Sequence, residues 1–445
     1  MGDLPFGFSG GDDPERRDRE DAPGAFNLGD LGKIFTQLGQ MFAGAGSAMS
    51  GGGGGAVNYE LARKLASSSI GFVAPVPEAT SSAVSDAVHL ADTWLDGACA
   101  LPAGAVRTVA WTPQDWVDNT LDTWKRLCDP MAEQIATVWA QALPGGVPEE
   151  TRAMAGPLMG ILTQMGGMAF GSQLGQALGT LSREVLTSTD IGLPLGPTGV
   201  AALLPGAIEA LSEDLDHPRS EILTFLAARE AAHHRLFSHV PWLPSQLLGA
   251  VEAYARGMKV DLSGIEQMAA GFDPSSMMDP AKMEELLSQS SAGGMFEPKA
   301  TPEQTAALER LETLLALIEG WVATVVSAAL GERIPGTVAL SEMIRRRRAS
   351  GGPAEQTFAT LLGLELRPRK MREAAALWER LTSAAGVDAR DAVWAHPDLL
   401  PSSSDLDDPA GFIDRVIGGD VSSVDVDALI AEIQKDTPPD GPVES

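Results

Sequence analysis

The residues of this chain best suited to chemistry gather in one stretch, Glu221 to Leu243, EILTFLAAREAAHHRLFSHVPWL. Spaced about 100° apart on a helix, Ile222, Phe225, Leu226, Leu236, Phe237 and Val240 form one apolar stripe. Arg229 and His233 fall in the middle of that stripe. Glu230 lies on its flank, one turn before His233 and His234. A cation, a carboxylate and an imidazole therefore point toward a core, where charges are costly unless paired or bound to a metal. The window Arg229-Glu230-Ala231-Ala232-His233 keeps the Glu and the second His of the zinc-protease pattern His-Glu-x-x-His. In that pattern two histidines hold the ion from one helix face, and the Glu takes a proton from the metal-bound water. Arg229 stands at the position of the first ligand, and a guanidinium, always protonated, repels the ion.

A third ligand has to come from elsewhere. Glu319 is the only charge in the nineteen residues from Thr313 to Gly331, TLLALIEGWVATVVSAALG. A carboxylate in such surroundings must be paired, protonated or metal-bound. Two readings stay open. Arg229 and Glu319 form a buried ion pair with His233 as a satisfied core histidine, or His233 holds a metal together with Glu319 or Glu230. Glu252 lies nineteen residues after His233, a spacing used by zinc peptidases whose third ligand is Glu, but AVEAYARG reads as an ordinary half-exposed helix. His234 and His239 are expected on the sides of the helix or just past its end, exposed. His89, His217 and His396 are isolated and receive no role. The run Arg345-Arg346-Arg347-Arg348 could meet a phosphate or nucleic acid, but in an acidic chain it is expected to pair with acidic groups of the same molecule.

The elements that must position these groups are helical. From Val57 onward the apolar periodicity is that of helices almost throughout. Thr112-Pro113-Gln114-Asp115 and Thr301-Pro302-Glu303-Gln304 have the signature of helix starts, and Asp216-His217-Pro218 opens a third helix. AVRTVAW, ending at Trp111, is the best strand. Thirty residues from Ala153 to Ser182 carry no charge, but they contain Gln164, Ser172, Gln173, Gln176 and Pro157. Gly167, Gly171, Gly175 and Gly179 recur every four residues, a spacing that lets another helix backbone approach. Buried packing rather than a transmembrane span is expected there. Residues 264–300 read as a long loop with one short helix.

Composition sets the outer bounds. A formal net charge of −28 disfavours a general binder of nucleic acid or anionic membrane. Cys99 and Cys128, the only two cysteines, fit a reducing compartment, and the first residues lack the pattern of a secretory leader. A cytoplasmic location is expected. Three regions follow: a flexible Gly-rich arm over 1–55, a helical domain over 56–402, and an acidic tail over 403–445 with one short helix from Val424 to Gln434. From Asp405 to Ser445 there are eleven acidic residues against two basic ones.

Several segments, in order, resemble the zincin-like metallopeptidase type 2 family: REAAHHRLFSHVPWL, VNYELARKLA, GSQLGQALGTLSREVL, LALIEGWVATVV, RRRRASGGPAEQTFATLLGLELRPRKMREAAALW and WAHPDLLPSSSDLDDP. The resemblance spans roughly residues 57–412. It implies a mainly α, zincin-like core and zinc-dependent hydrolysis of a peptide or protein substrate. Carried over by residue, Glu230 would be the base and His233 a ligand. Glu319 would complete the metal site, and Arg229 would stabilise the oxyanion. Because Arg229 departs from the family of full zinc-peptidase patterns at the first ligand, the alternative is an inactive zincin-like scaffold or interaction module.

Overall fold

In the computed structural model the described residues are 57–141, 149–257, 301–349, 353–362, 364 and 370–418. The expected arm over 1–55, the loop over 264–300 and the Val424–Gln434 helix lie outside them. All the described residues belong to one unit, Gly52–Ser445.

The chain is mainly α. Helix α1 (Tyr59–Ile70) and α2 (Glu78–Leu95) lead into strand β1 (Arg107–Ala110). Then come α3 (Pro113–Gln141), α4 (Glu149–Leu181), β2 (Val200–Leu203), α5 (Pro205–Glu213), α6 (Arg219–His239) and α7 (Trp242–Arg256). Helices α8 (Pro302–Leu330), α9 (Thr337–Ala349), α10 (Pro353–Leu362) and α11 (Met371–Ala392) follow. Two short helices, α12 (Ser403–Asp407) and α13 (Pro409–Ile417), pack back toward α11 and bury Phe412. The described helices thus run past residue 402, into the first residues of the expected tail.

Local signals start the helices. Thr112 and Asp115 bond each other across the first turn of α3, the Thr112 Oγ1 accepting from the Asp115 backbone N–H at 3.1 Å. Thr301 and Gln304 form a reciprocal capping box at α8. Pro218 precedes α6 without a side-chain cap. The glycines of α4 do what their spacing suggests. A Cβ on Gly171 would lie 2.5 Å from the Asn58 carbonyl oxygen, and one on Gly175 2.5 Å from that of Ala62. Backbone of α1 and of the residue before it fills the space that side chains would need.

At the centre lies α6, which touches α2, α5, α8, β2 and the start of α7. The predicted stripe is buried, but so is the rest of its middle: every residue from Phe225 to Phe237 is buried. A helix enclosed on all sides must find an internal partner for each of its charges. Helix α8 is the one described helix long and apolar enough to cross a membrane, and most of it is buried among other helices of this fold. It approaches α11 closely at Gly320, where a Cβ would come within 2.7 Å of Ala374. Trp378 of α11 donates to the Leu317 carbonyl at 2.9 Å.

The strands β1 and β2 pair in parallel, with Arg107 opposite Val200 and Ala110 opposite Leu203. On the other side of β2, residues 186–188 add a short antiparallel partner: Ser188 N–H donates to Ala202 O at 2.9 Å, and Leu204 N–H to Leu186 O at 2.9 Å. This small sheet matters because it carries the groups that meet Glu230.

Candidate functional site

The charges of α6 divide among three neighbours. Arg229 and His233, one turn apart, face α8 and the end of α9. Arg229 donates to Glu319 Oε2 at 2.6 Å, and His233 Nε2 lies 2.9 Å from Glu319 Oε1. Arg348, the last residue of the arginine run, reaches the same Oε1 at 2.8 Å and also donates to the Asp190 carbonyl. Glu319 is therefore surrounded by two guanidiniums and an imidazole. Burial alone would raise its pKa, but Arg348, His233 and Arg229 outweigh that and hold the carboxyl well below the usual range. Burial lowers the Arg229 pKa, and the nearby Arg348 adds to this while Glu319 opposes it.

The rest of the arginine run pairs within the chain, as its setting in an acidic protein suggests. Arg345 and Arg346 both bond Glu342, and Arg347 donates to the Glu184 carbonyl.

Both ring nitrogens of His233 are engaged within the protein. Its Nδ1 lies 2.8 Å from the Arg229 carbonyl oxygen, which can only accept, and its Nε2 faces a carboxylate, which can only accept. In this arrangement both ring nitrogens face acceptor oxygens within the protein.

Glu230 turns away from this cluster, toward β2 and the residues before it. Its oxygens accept from Ser188 Oγ, from Thr189 Oγ1 at 2.5 Å and N–H at 3.2 Å, and from Ala202 N–H at 3.1 Å. The fifth donor is His234, whose Nε2 lies 3.2 Å from Oε1. Burial pushes the Glu230 pKa up, but the hydrogen bond and charge of His234, with the Ser188 and Thr189 hydroxyls, bring it down to about 2. The carboxylate completes the hydrogen bonding of the small sheet from inside the core.

The third charge is Arg235, which faces α2. It bonds Asp92 at 3.0 Å and Asp96 at 2.7 Å, and donates to the Leu101 carbonyl at 2.7 Å. Glu252 takes no part in either acidic cluster: it pairs with Arg126 at 2.5 Å and Arg256 at 3.1 Å. His239 is exposed, as expected, with Nε2 3.1 Å from the Ala103 carbonyl. His234, expected to be exposed, is buried, because β2 and the 186–199 loop cover the helix side on which it sits.

His234 also lines a pocket of about 240 Å³ between α3, the 188–199 loop, α6 and the start of α7. Thr123, Ser188, Thr189, Thr198, Ser238 and Ser245 supply hydroxyls to its wall, and Arg126 is the one Arg, Lys, Asp or Glu in the lining. Sequence reasoning missed Ser188, Thr189 and Arg348 as partners. Only the arginine run carried a signal; a Ser-Thr pair in a loop carries none.

Gly104 makes α6 fit at this point. A Cβ there would lie 2.1 Å from the His234 carbonyl oxygen and 2.8 Å from the Arg235 nitrogen, both backbone atoms that cannot swing aside. Gly104→Ala is expected to cost about 1–3 kcal/mol or more by overpacking, read from urea unfolding. Stability equal to wild type would mean that the 100–106 segment is free to move off α6.

Among the described residues, no group of three or more His, Cys, Asp and Glu side chains is arranged to hold a metal ion. The predicted quartet is thus brought together in part: Arg229, His233 and Glu319 meet, while Glu230 joins a separate cluster with His234.

A family model described as zincin-like metallopeptidase matches residues 57–413. No curated protein matches the chain. Among solved structures, a crystal structure from Chloroflexus aurantiacus, described as "a putative hydrolase with a novel fold", is similar at a TM-score of 0.56 and 19% sequence identity. The similarity covers 81% of this chain and 98% of that one, so nearly the whole of that fold is shared. By the extent of the family match, which takes in both buried clusters and every described helix up to α13, this chain belongs to the zincin-like metallopeptidase family.

Proposed function

We propose that the chain is a hydrolase acting on a peptide or amide bond, with its chemistry in the pocket beside His234. The observation that carries this reading is the link from Glu230 to the pocket: an ionised, fully enclosed carboxylate holds an imidazole at the wall of a cavity that also bears hydroxyls. Perturbed carboxylates that reach a cleft through a histidine are a recurrent mark of catalytic sites. Membership of a family named for metallopeptidases, and the hydrolase name of the Chloroflexus structure, support the same class of reaction.

Zinc, which the family name implies, does not fit the residues present. Both nitrogens of His233 are already engaged by oxygens of the protein, and both oxygens of Glu319 are held by guanidiniums. A catalytic zinc needs three protein ligands and an open position. A dication would have to sit beside Arg229 and Arg348. Glu230 is equally poorly placed to act as a base. With five donors and a pKa of about 2, it has little tendency to take a proton near neutral pH. We assign Arg229, His233 and Glu319 to a structural network and derive no step through a metal.

Two buried, unpaired cysteines suit a reducing cytoplasm, and the acidic charge gives no support to a nucleic-acid partner. The second reading is an inactive scaffold, favoured by the internal satisfaction of both polar clusters. The two are separated by turnover of a panel of peptide, amide and ester substrates. We expect hydrolysis that survives chelator and is abolished by Thr198→Trp, which fills the pocket from its exposed rim. Loss of turnover on chelation would return the chemistry to a metal. Absence of turnover on the whole panel would favour the scaffold.

A further inference from the structure

We propose that His234 is the catalytic base of this site and that Glu230 is the residue that positions it; the proposal rests on the hydrolase reading above. His234 Nε2 faces Glu230 Oε1 at 3.2 Å from the next turn of the same helix. An ionised carboxylate can only accept, so the proton of a neutral His234 sits on Nε2, and Nδ1 carries a lone pair. That Nδ1 makes no hydrogen bond among the described residues, and His234 lines the pocket. A carboxylate that fixes one ring nitrogen and leaves the other free for a proton is the logic of an oriented catalytic histidine. His233, its neighbour in sequence, cannot serve, because both its nitrogens are occupied.

The nucleophile is water. Four of the six hydroxyls of the wall are committed as donors within the protein, and the other two, Thr198 and Ser245, make no hydrogen bond to His234 that would activate them. Ser188 and Thr189 bond Glu230, Ser238 bonds the Gly104 carbonyl at 2.8 Å, and Thr123 bonds the Leu195 carbonyl at 2.8 Å. Water oxygen attacks the substrate carbonyl carbon, and its proton passes to His234 Nδ1. As the tetrahedral intermediate collapses, the C–N bond breaks and that proton moves to the departing nitrogen. The products are an amine and a carboxylic acid, whose remaining proton is released to solvent or taken up by the amine, and His234 returns to its starting state. Glu230 stays ionised and stabilises the transient imidazolium, as the buried carboxylate does in the Ser-His-Asp arrangement. At about 240 Å³ the pocket is smaller than the ~300–1,000 Å³ of typical drug-sized sites, so it takes a small acyl group rather than a long chain.

The test uses the full chain with chelator present. Kinetics on small N-acyl amino-acid anilides are measured for wild type, His234→Gln and His234→Ala. In parallel, the histidine ring nitrogens are assigned by ¹⁵N NMR in wild type and in Glu230→Gln. We expect kcat to fall by roughly 10²–10⁴-fold in His234→Gln with KM little changed, and added imidazole to restore part of the activity of His234→Ala. We also expect the wild-type His234 to hold its proton on Nε2 and to lose that preference in Glu230→Gln. Full activity in His234→Gln overturns the proposal. So does a wild-type proton on Nδ1, even if no substrate is found. Absence of turnover by wild type on the anilides and on the wider panel overturns the hydrolase reading itself, whatever the NMR shows.

Discussion

Replacing Glu319 by Gln is expected to destabilise the protein by about 3–5 kcal/mol, the cost typical of removing one partner from a buried ion network. The side chain is 3% exposed and is the only anion in direct contact with Arg229, Arg348 and His233 among the described residues. Without its charge, two guanidiniums face each other in a buried site. Domains are commonly stable by only about 5–15 kcal/mol, so the loss should be plain in urea unfolding. Arg229→Met combined with Glu319→Gln should cost less than the sum of the two single changes, because removing a cation relieves the uncompensated charge. Strict additivity would show that the two side chains do not interact. Chelator should leave the wild-type unfolding curve where it is, since the network is closed without an ion. A large shift on chelation would instead show a bound metal stabilising the fold.

Glu230 sets the second large effect, and it depends on pH. Its folded pKa, about 2, lies below the ordinary value of 4.5. The unfolded chain therefore binds a proton more readily than the folded one. The resulting stabilisation is fully present above about pH 4.5 and is lost as pH falls toward 2. By linkage it is on the order of 3 kcal/mol. Glu230→Gln should remove a similar amount at neutral pH, because the amide nitrogen must face donors such as the Thr189 or Ala202 N–H. Its stability should then approach that of wild type in acid. Unfolding measured across this window for both proteins checks the point. A constant difference between them from pH 7 to 2 would mean that Glu230 does not titrate as its surroundings dictate.

Both effects come from residues that are conspicuous in the sequence, yet their roles were only partly legible there. Glu319 stood out because a lone charge in an apolar helix demands a partner, and Arg229 was a named candidate from the same reasoning. Arg348 was visible only as part of a run. Its reach to Glu319, past Arg345 and Arg346 on the surface side of α9, depends on how α9 meets α8. Glu230 and His233 looked like two parts of one site because Glu-x-x-His is a motif. Three residues apart, they are displaced by about 60° around the helix, enough on a helix enclosed from all sides to give each its own neighbours.

What the sequence determined by itself was local and periodic. It specified the helical class, the capped starts at Thr112 and Thr301, the strand before Trp111, the glycine ladder of α4 and the apolar stripe of α6. Each depends on residues within a turn or two, so spacing alone reveals it. Tertiary structure decided which groups meet. It brought Ser188, Thr189 and Ala202 to Glu230 from 28 to 42 residues away, and Arg348 to Glu319 from another helix. It also buried His234 at the edge of a pocket. Such partnerships are set by the packing of a fully enclosed helix, where every charge must be answered by whichever element lies across from it.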